Sequence, residues 1–225
     1  MHIEPGIVDG TKIVFSYVTA AAAGGYALKL AGETVREQSV CSLAIRTAAT
    51  TSLVLFFFEI LPHFSVGVSE VHFIFGSTLF LIFGAAPAAL GLSLGLLLQG
   101  IFLAPTDLPQ YGMNVTTLLV PLFAINALAA RIVARDAAYV DLGYRQALSL
   151  STAYQAGIVA WVAFWAIYGR GFGAENLSSI ATFGASYAIV IFIEPLADLG
   201  VLALAKSLRG VLAGGFVTPR LLNAA

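Results

Sequence analysis

The chain has 225 residues, of which 59% are apolar and only 10% charged, with a mean hydropathy of +0.92. A soluble domain carries about 25% charged residues, so a water-soluble globular protein is excluded. Eleven Lys and Arg against twelve Asp and Glu leave a net charge of -1, which offers no basic surface to a nucleic-acid backbone and removes nucleic acid as a partner.

A bilayer span takes roughly 20 apolar residues. Apolar runs bounded by polar, Gly or Pro residues fall at 11–30, 42–62, 71–86, 88–104, 114–134, 148–168 and 180–205. The predicted architecture is an all-α polytopic membrane protein with seven transmembrane helices. One transmembrane domain fills residues 1–225 and includes a short extracytoplasmic N-terminal segment, 1–10. The third and fourth runs are separated only by Gly84-Ala85-Ala86-Pro87, so merging them into six spans is the competing count.

Basic residues decide between the two, because Lys and Arg collect in cytoplasmic loops. Seven spans with the amino terminus outside and the carboxyl terminus inside put Lys29, Arg36, Arg46, Arg131, Arg135, Arg145, Lys206, Arg209 and Arg220 inside. Only Lys12 and Arg170 stay outside. Merging would send Arg131, Arg135 and Arg145 to the face opposite Lys29 and Arg36.

The opening Met1–Gly10, with Glu4, Pro5 and Asp9, lacks the basic region of a secretory leader and is expected to survive processing. Gly91-Leu-Ser-Leu-Gly95 and Ala20–Gly25 are small-residue faces for close helix packing. No phosphate-binding Gly-x-x-x-x-Gly-Lys-Ser/Thr loop occurs, and lone Cys41 forms neither an internal disulfide nor a Cys-x-x-Cys zinc site.

That topology puts all three histidines, His2, His63 and His72, on the outer side. Imidazole is the commonest metal ligand among side chains. A histidine at position two also offers a metal the terminal amine of Met1, its own amide nitrogen and its ring, forming two fused chelate rings. Planar nitrogen sets of this kind suit Ni(II) and Cu(II). A fourth nitrogen comes from His72 or His63 if residues 3–10 fold back, which Pro5 and Gly6 permit.

Arg46, Glu59, Glu194 and Asp198 are ionisable groups within predicted spans, where charge is costly and faces the bundle interior. Glu194 and Asp198 lie one turn apart on a shared face. The plain reading pairs them with Arg46, and the functional alternative makes the three an intramembrane path for a cation or proton. Pro195 is expected to kink the last span. Asn114, at the outer entrance of the fifth span, either holds a loop or ligand beside the histidines or caps its helix.

Three stretches of the chain resemble the CbiM/NikM-type substrate-binding component of cobalt and nickel energy-coupling factor transporters. They are the opening Met1-His2-Ile3 with a glycine soon after, His72-Phe-Ile-Phe-Gly76, similar to the family's His-Leu-Ile-Gly-Gly, and Gly112-Met113-Asn114, similar to its Gly-Ala-Asn. Ile193-Glu194-Pro195-Leu196 resembles its late Gly-Glu-Gly-Leu. By this resemblance the metal ligands are Met1, His2 and His72, and His72 is chosen over His63. Asn114 and His63 are left as candidate supporting residues around the metal. The sequence departs from the family at Glu4-Pro5-Gly6, where Pro-Asp-Gly is usual, and at Gly67-Val68-Ser69-Glu70-Val71, where Gly-Thr-Ser-Gly is usual. Tyr187 stands where the family has a histidine.

The expected function is capture of Ni(II) or Co(II) at the outer face of the plasma (inner) membrane and its passage inward. The chain itself has no catalytic chemistry and no resident cofactor. The resemblance implies a transmembrane coupling subunit and cytoplasmic ATPases as partners, and the basic Arg131–Arg145 loop is the expected contact. The main alternative is a component of the same kind for an organic vitamin, with incidental histidines. A retinal photoreceptor fails because Lys206 lies at a helix end, and an intramembrane hydrolase fails for want of a deep histidine.

Overall fold

The computed structural model describes residues 2–208 and 216–223; Met1 and Arg209 lie outside them. In chain order the helices are α1 (Lys12–Glu37), α2 (Val40–Glu59), α3 (Gly76–Phe83), α4 (Ala85–Phe102), α5 (Tyr111–Ile132), α6 (Tyr144–Arg170), α7 (Ala174–Ser207) and α8 (Pro219–Leu222). Two short strands, β1 (Phe64–Val66) and β2 (Ser69–Val71), form an antiparallel hairpin between α2 and α3. Six helical stretches, all but α3 and α8, are long and apolar enough to cross a membrane. The chain is an all-α membrane protein.

Large side chains close the middle of the bundle, with Trp165, Tyr154, Tyr187 and Phe183 fully buried. α4 lies closely on α2 because Gly91 and Gly95 leave room for Thr50 and Val54; a Cβ at either glycine would overlap them. The other small-residue face behaves differently. Gly24 and Gly25 look onto open space, while Ala23 and Ala27 of the same helix are buried.

The apolar run at 71–86 does not become a full helical span. Val71 ends β2, Phe75 adopts a left-handed φ of 53°, and α3 has only eight residues, a rise of about 12 Å. Gly84, at φ 90°, then separates α3 from α4. Irregular backbone at this depth persists only where protein groups satisfy it. Glu194 does so, accepting the amides of Ile74 at 2.7 Å and Phe75 at 3.0 Å.

Contacts gather at two ends of the bundle. One end carries residues 2–10, the hairpin, Gln99, Asn114 and the turn between α6 and α7. There Lys12 donates to the Tyr168 and Gly169 carbonyls, satisfying the end of α6. At the other end Arg46 meets Phe83, Thr218 meets Ile82, Lys206 meets Asp141 and Arg220 meets the Ala134 and Arg135 carbonyls.

Candidate metal centre

The site starts with a tight hairpin. Gly67, at φ 63°, and Val68 form the loop, and the register pairs Ser65 with Glu70 and Val66 with Ser69. Alternation along β2 and its continuation puts Glu70 and His72 on one face. The start of the chain lies along this hairpin as a third, short strand. Ile3 bridges Ser69, the Glu4 amide donates to the Val68 carbonyl, and the His2 carbonyl accepts both the Glu70 amide at 3.0 Å and the Ser69 hydroxyl at 2.8 Å. The Ile3 amide donates to Asn114 Oδ1 at 2.9 Å, tying the same segment to α5. The fold-back that Pro5 and Gly6 permit is present, and Ile3, Ile7 and Val8 are buried beneath it.

This packing brings His2, Glu70 and His72 together. Glu70 Oε2 lies 2.7 Å from His2 Nδ1 and 2.8 Å from His72 Nε2, and the three ligand atoms lie within 4.8 Å of one another. Both imidazoles are buried, at 5% and 1% exposure, while the Glu70 side chain keeps 24%. Phe58 packs against both rings and shields them.

Hydrogen bonds behind His2 hold its ring in place. Gln99 on α4 gives its amide N–H to Glu59 Oε1 at 2.6 Å, which leaves Gln99 Oε1 to face His2 Nε2 at 2.9 Å as an acceptor. His2 Nδ1 lies at hydrogen-bond distance from Glu70 Oε2, and with a metal on Nδ1 the Nε2–H would be left to donate to Gln99. A metal-ligating histidine almost always donates its other N–H to a carbonyl or carboxylate in this way. His2 Nδ1 is also the ring nitrogen nearest the main chain, the one that the chelate read from the sequence needs.

Electrostatics follow from burial and these contacts. Burial lowers the His72 pKa from 6.5 to about 2, keeping the ring neutral. Burial pushes the Glu70 carboxyl upward, but hydrogen bonds from His2 and His72 overcome this and hold it well below its ordinary 4.5. His72 Nδ1 is buried without a hydrogen-bond partner among the described residues.

The remaining candidates divide. His63 is exposed; its ring stacks on His72 at 4.9 Å, and its Nδ1 lies 3.3 Å from the Leu61 carbonyl. Glu194 and Asp198 are buried on α7, but Arg46 does not pair with them, which corrects the expectation from the sequence. Its guanidinium donates to the Phe83 and Ser42 carbonyls and to Gln38, satisfying it by carbonyl oxygens at the opposite end. Glu194 is instead taken up by the Ile74 and Phe75 amides and by Gln155, and Asp198 by the Ser77 and Thr78 hydroxyls. These carboxylates hold the entrance of α3, and among the described residues Arg46 makes no ion pair with either. α7 passes through Pro195 as one helix.

Glu70 and Gln99 were missed in the sequence. The signal for Glu70 is its two-residue spacing from His72, which puts both on one face once that segment is a strand. Gln99 had no comparable signal.

The fold and this end of the bundle define a multi-pass membrane protein of metal transport. The model of the CbiM family, described as the cobalt uptake substrate-specific transmembrane region, matches residues 2–212, and the chain belongs to that family. It is a transport component rather than an enzyme. A structure described as the crystal structure of a truncated transition metal transporter has the same fold, with a TM-score of 0.62 at 16% identity. The alignment covers 93% of this chain and 98% of that one. No curated protein sequence gives a significant match.

Proposed function

We propose that this chain captures Co(II) or Ni(II) at the outer face of the plasma membrane, with His2 and His72 as ligands, and passes it inward as the substrate-specific component of an energy-coupling factor transporter. The observation that carries the reading is the convergence of His2 Nδ1 and His72 Nε2 on one point, now filled by a carboxylate oxygen, in a chain of the cobalt uptake family. In this reading the histidine end faces outward and the Arg46 end inward. Phe73–Phe75 and α3 make the third of seven crossings. A coupling subunit and cytoplasmic ATPases supply the energy, and the basic stretch from Arg131 to Arg145 meets them.

The cavities at the histidine end are small for an organic ligand. The space lined by His2, Leu96, Tyr111 and Asn114 is about 10 Å³, and the apolar cavity beside His72 about 260 Å³. Organic ligands of drug size occupy roughly 300–1,000 Å³.

Elemental analysis of the purified protein tests the proposal. The expected result is close to one cobalt or nickel per chain, lost in His72→Ala. Equal metal content in the two proteins, or none in either, refutes it.

A further inference from the structure

We propose that Glu70 is itself a ligand of the transported ion and selects Co(II) over ions that prefer a planar nitrogen set. The inference rests on the metal-capture reading above and adds an oxygen donor to it. One oxygen, Glu70 Oε2, sits at hydrogen-bond distance from both imidazole nitrogens, 2.7 Å from His2 and 2.8 Å from His72. A metal ion between two imidazoles binds each nitrogen at about 2.0–2.1 Å, so an ion entering here meets the carboxylate wherever it settles.

The surroundings keep Glu70 in place. Its residue pairs with Ser65 across the hairpin, and its amide donates to the His2 carbonyl. Its second oxygen, Oε1, is 3.5 Å from the Ser65 hydroxyl. Gln99, held by Glu59, faces the far nitrogen of His2 and keeps the ring turned toward Oε2.

The consequence for selectivity follows from donor number and type. Nitrogen sets alone favour Cu(II) above the other divalent ions of the first row. Added to the four nitrogens expected from the sequence, the Glu70 oxygen makes five donors, one more than a planar ion uses. Co(II) readily takes five or six ligands including oxygen, whereas a planar ion gains little from the fifth. The carboxylate also cancels one charge of the divalent ion, lowering the cost of moving it off the aqueous surface.

The test uses the full chain in detergent, with Co(II) and Cu(II) alone as probes, and compares wild type with Glu70→Gln, Glu70→Asp and His72→Ala. In Glu70→Gln, Co(II) affinity is expected to fall about tenfold or more and Cu(II) affinity by less than about threefold. The visible spectrum of bound Co(II) should change in the same variant, and Glu70→Asp should recover part of the affinity. Infrared difference spectra of wild type on Co(II) binding should show a shifted carboxylate band, a readout independent of how any variant folds. Unchanged Co(II) affinity and spectrum in Glu70→Gln, with binding lost in His72→Ala, overturns the role of Glu70 and leaves the capture reading standing. An unshifted carboxylate band in wild type does the same. Absence of Co(II) binding by wild type overturns both.

Discussion

Glu194 Oε1 lies 2.7 Å from the backbone nitrogen of Ile74, and the same oxygen accepts the next amide, Phe75. One side chain of α7 thus satisfies two buried N–H groups in the segment that carries His72. Glu194→Ala orphans both, at about 1–3 kcal/mol for each unmade bond. The expected outcome is a lower melting temperature together with lost cobalt binding. Glu194→Gln keeps an acceptor oxygen and should lose less of both. Wild-type melting and binding in the alanine variant would show that the amides find other partners.

Gln99 touches no metal in the proposed site, yet its Oε1 stands 2.9 Å from His2 Nε2, placed to accept from that nitrogen when Nδ1 holds the metal. Gln99→Leu removes that acceptor and should weaken Co(II) binding by about 10–100-fold, the range for lost outer partners of metal-bound histidines. Calorimetric titration reads the effect. Affinity equal to wild type would mean that the His2 ring is held in place by other contacts.

Acid should loosen the metal-free protein. His72 stays neutral in the fold down to about pH 2 but takes a proton near 6.5 when unfolded, so its contribution is complete above 6.5 and is lost progressively as pH falls from there. Glu70, held below its ordinary 4.5, adds a loss of the same sign once pH falls below 4.5. Melting temperature should decline from pH 6.5 downward, and His72→Phe should flatten the decline between 6.5 and 4.5. Parallel curves for the two proteins would remove His72 as the cause.

Gly76 opens α3 against the ring of Tyr154, and a Cβ there would overlap ring atoms that cannot swing aside. Gly76→Ala should cost about 1–3 kcal/mol as overpacking and displace the start of α3. Thermal melting with cobalt titration checks this, and an unperturbed variant would indicate that Tyr154 has room to shift.

A few residues added ahead of Met1 test the terminal amine as a ligand. The chelate read from the sequence predicts that the extended protein binds cobalt more weakly than one with a free Met1 amine. Equal affinity would leave the ion to side chains alone.

The long helices were legible in the sequence because each carries an uninterrupted apolar run, and Gly91 and Gly95 correctly marked a close helix contact. The run from Val71 to Ala86 misled for a physical reason. Hydropathy is the same for a full span and for a short buried helix preceded by extended chain, and the group that stabilises the second, Glu194, lies 120 residues away. Arg46 misled because a buried guanidinium needs partners, and carbonyl oxygens such as that of Phe83 serve as well as a carboxylate. For the candidate centre, His2 was legible from its chemistry, and His72 was chosen over His63 by the family resemblance. Glu70 was not legible, because its place beside them depends on the strand alternation of a segment read as part of a loop.

The stretch from His72 to Phe83 is pinned at both ends. Glu194 grips its entrance, while Arg46 grips the Phe83 carbonyl and Thr218 the Ile82 carbonyl at its exit. In the proposed reading, a partner that pulled on the segment around Thr218 would strain the bonds that hold the His72 end, and capture at one surface and release at the other would be coupled through this one segment.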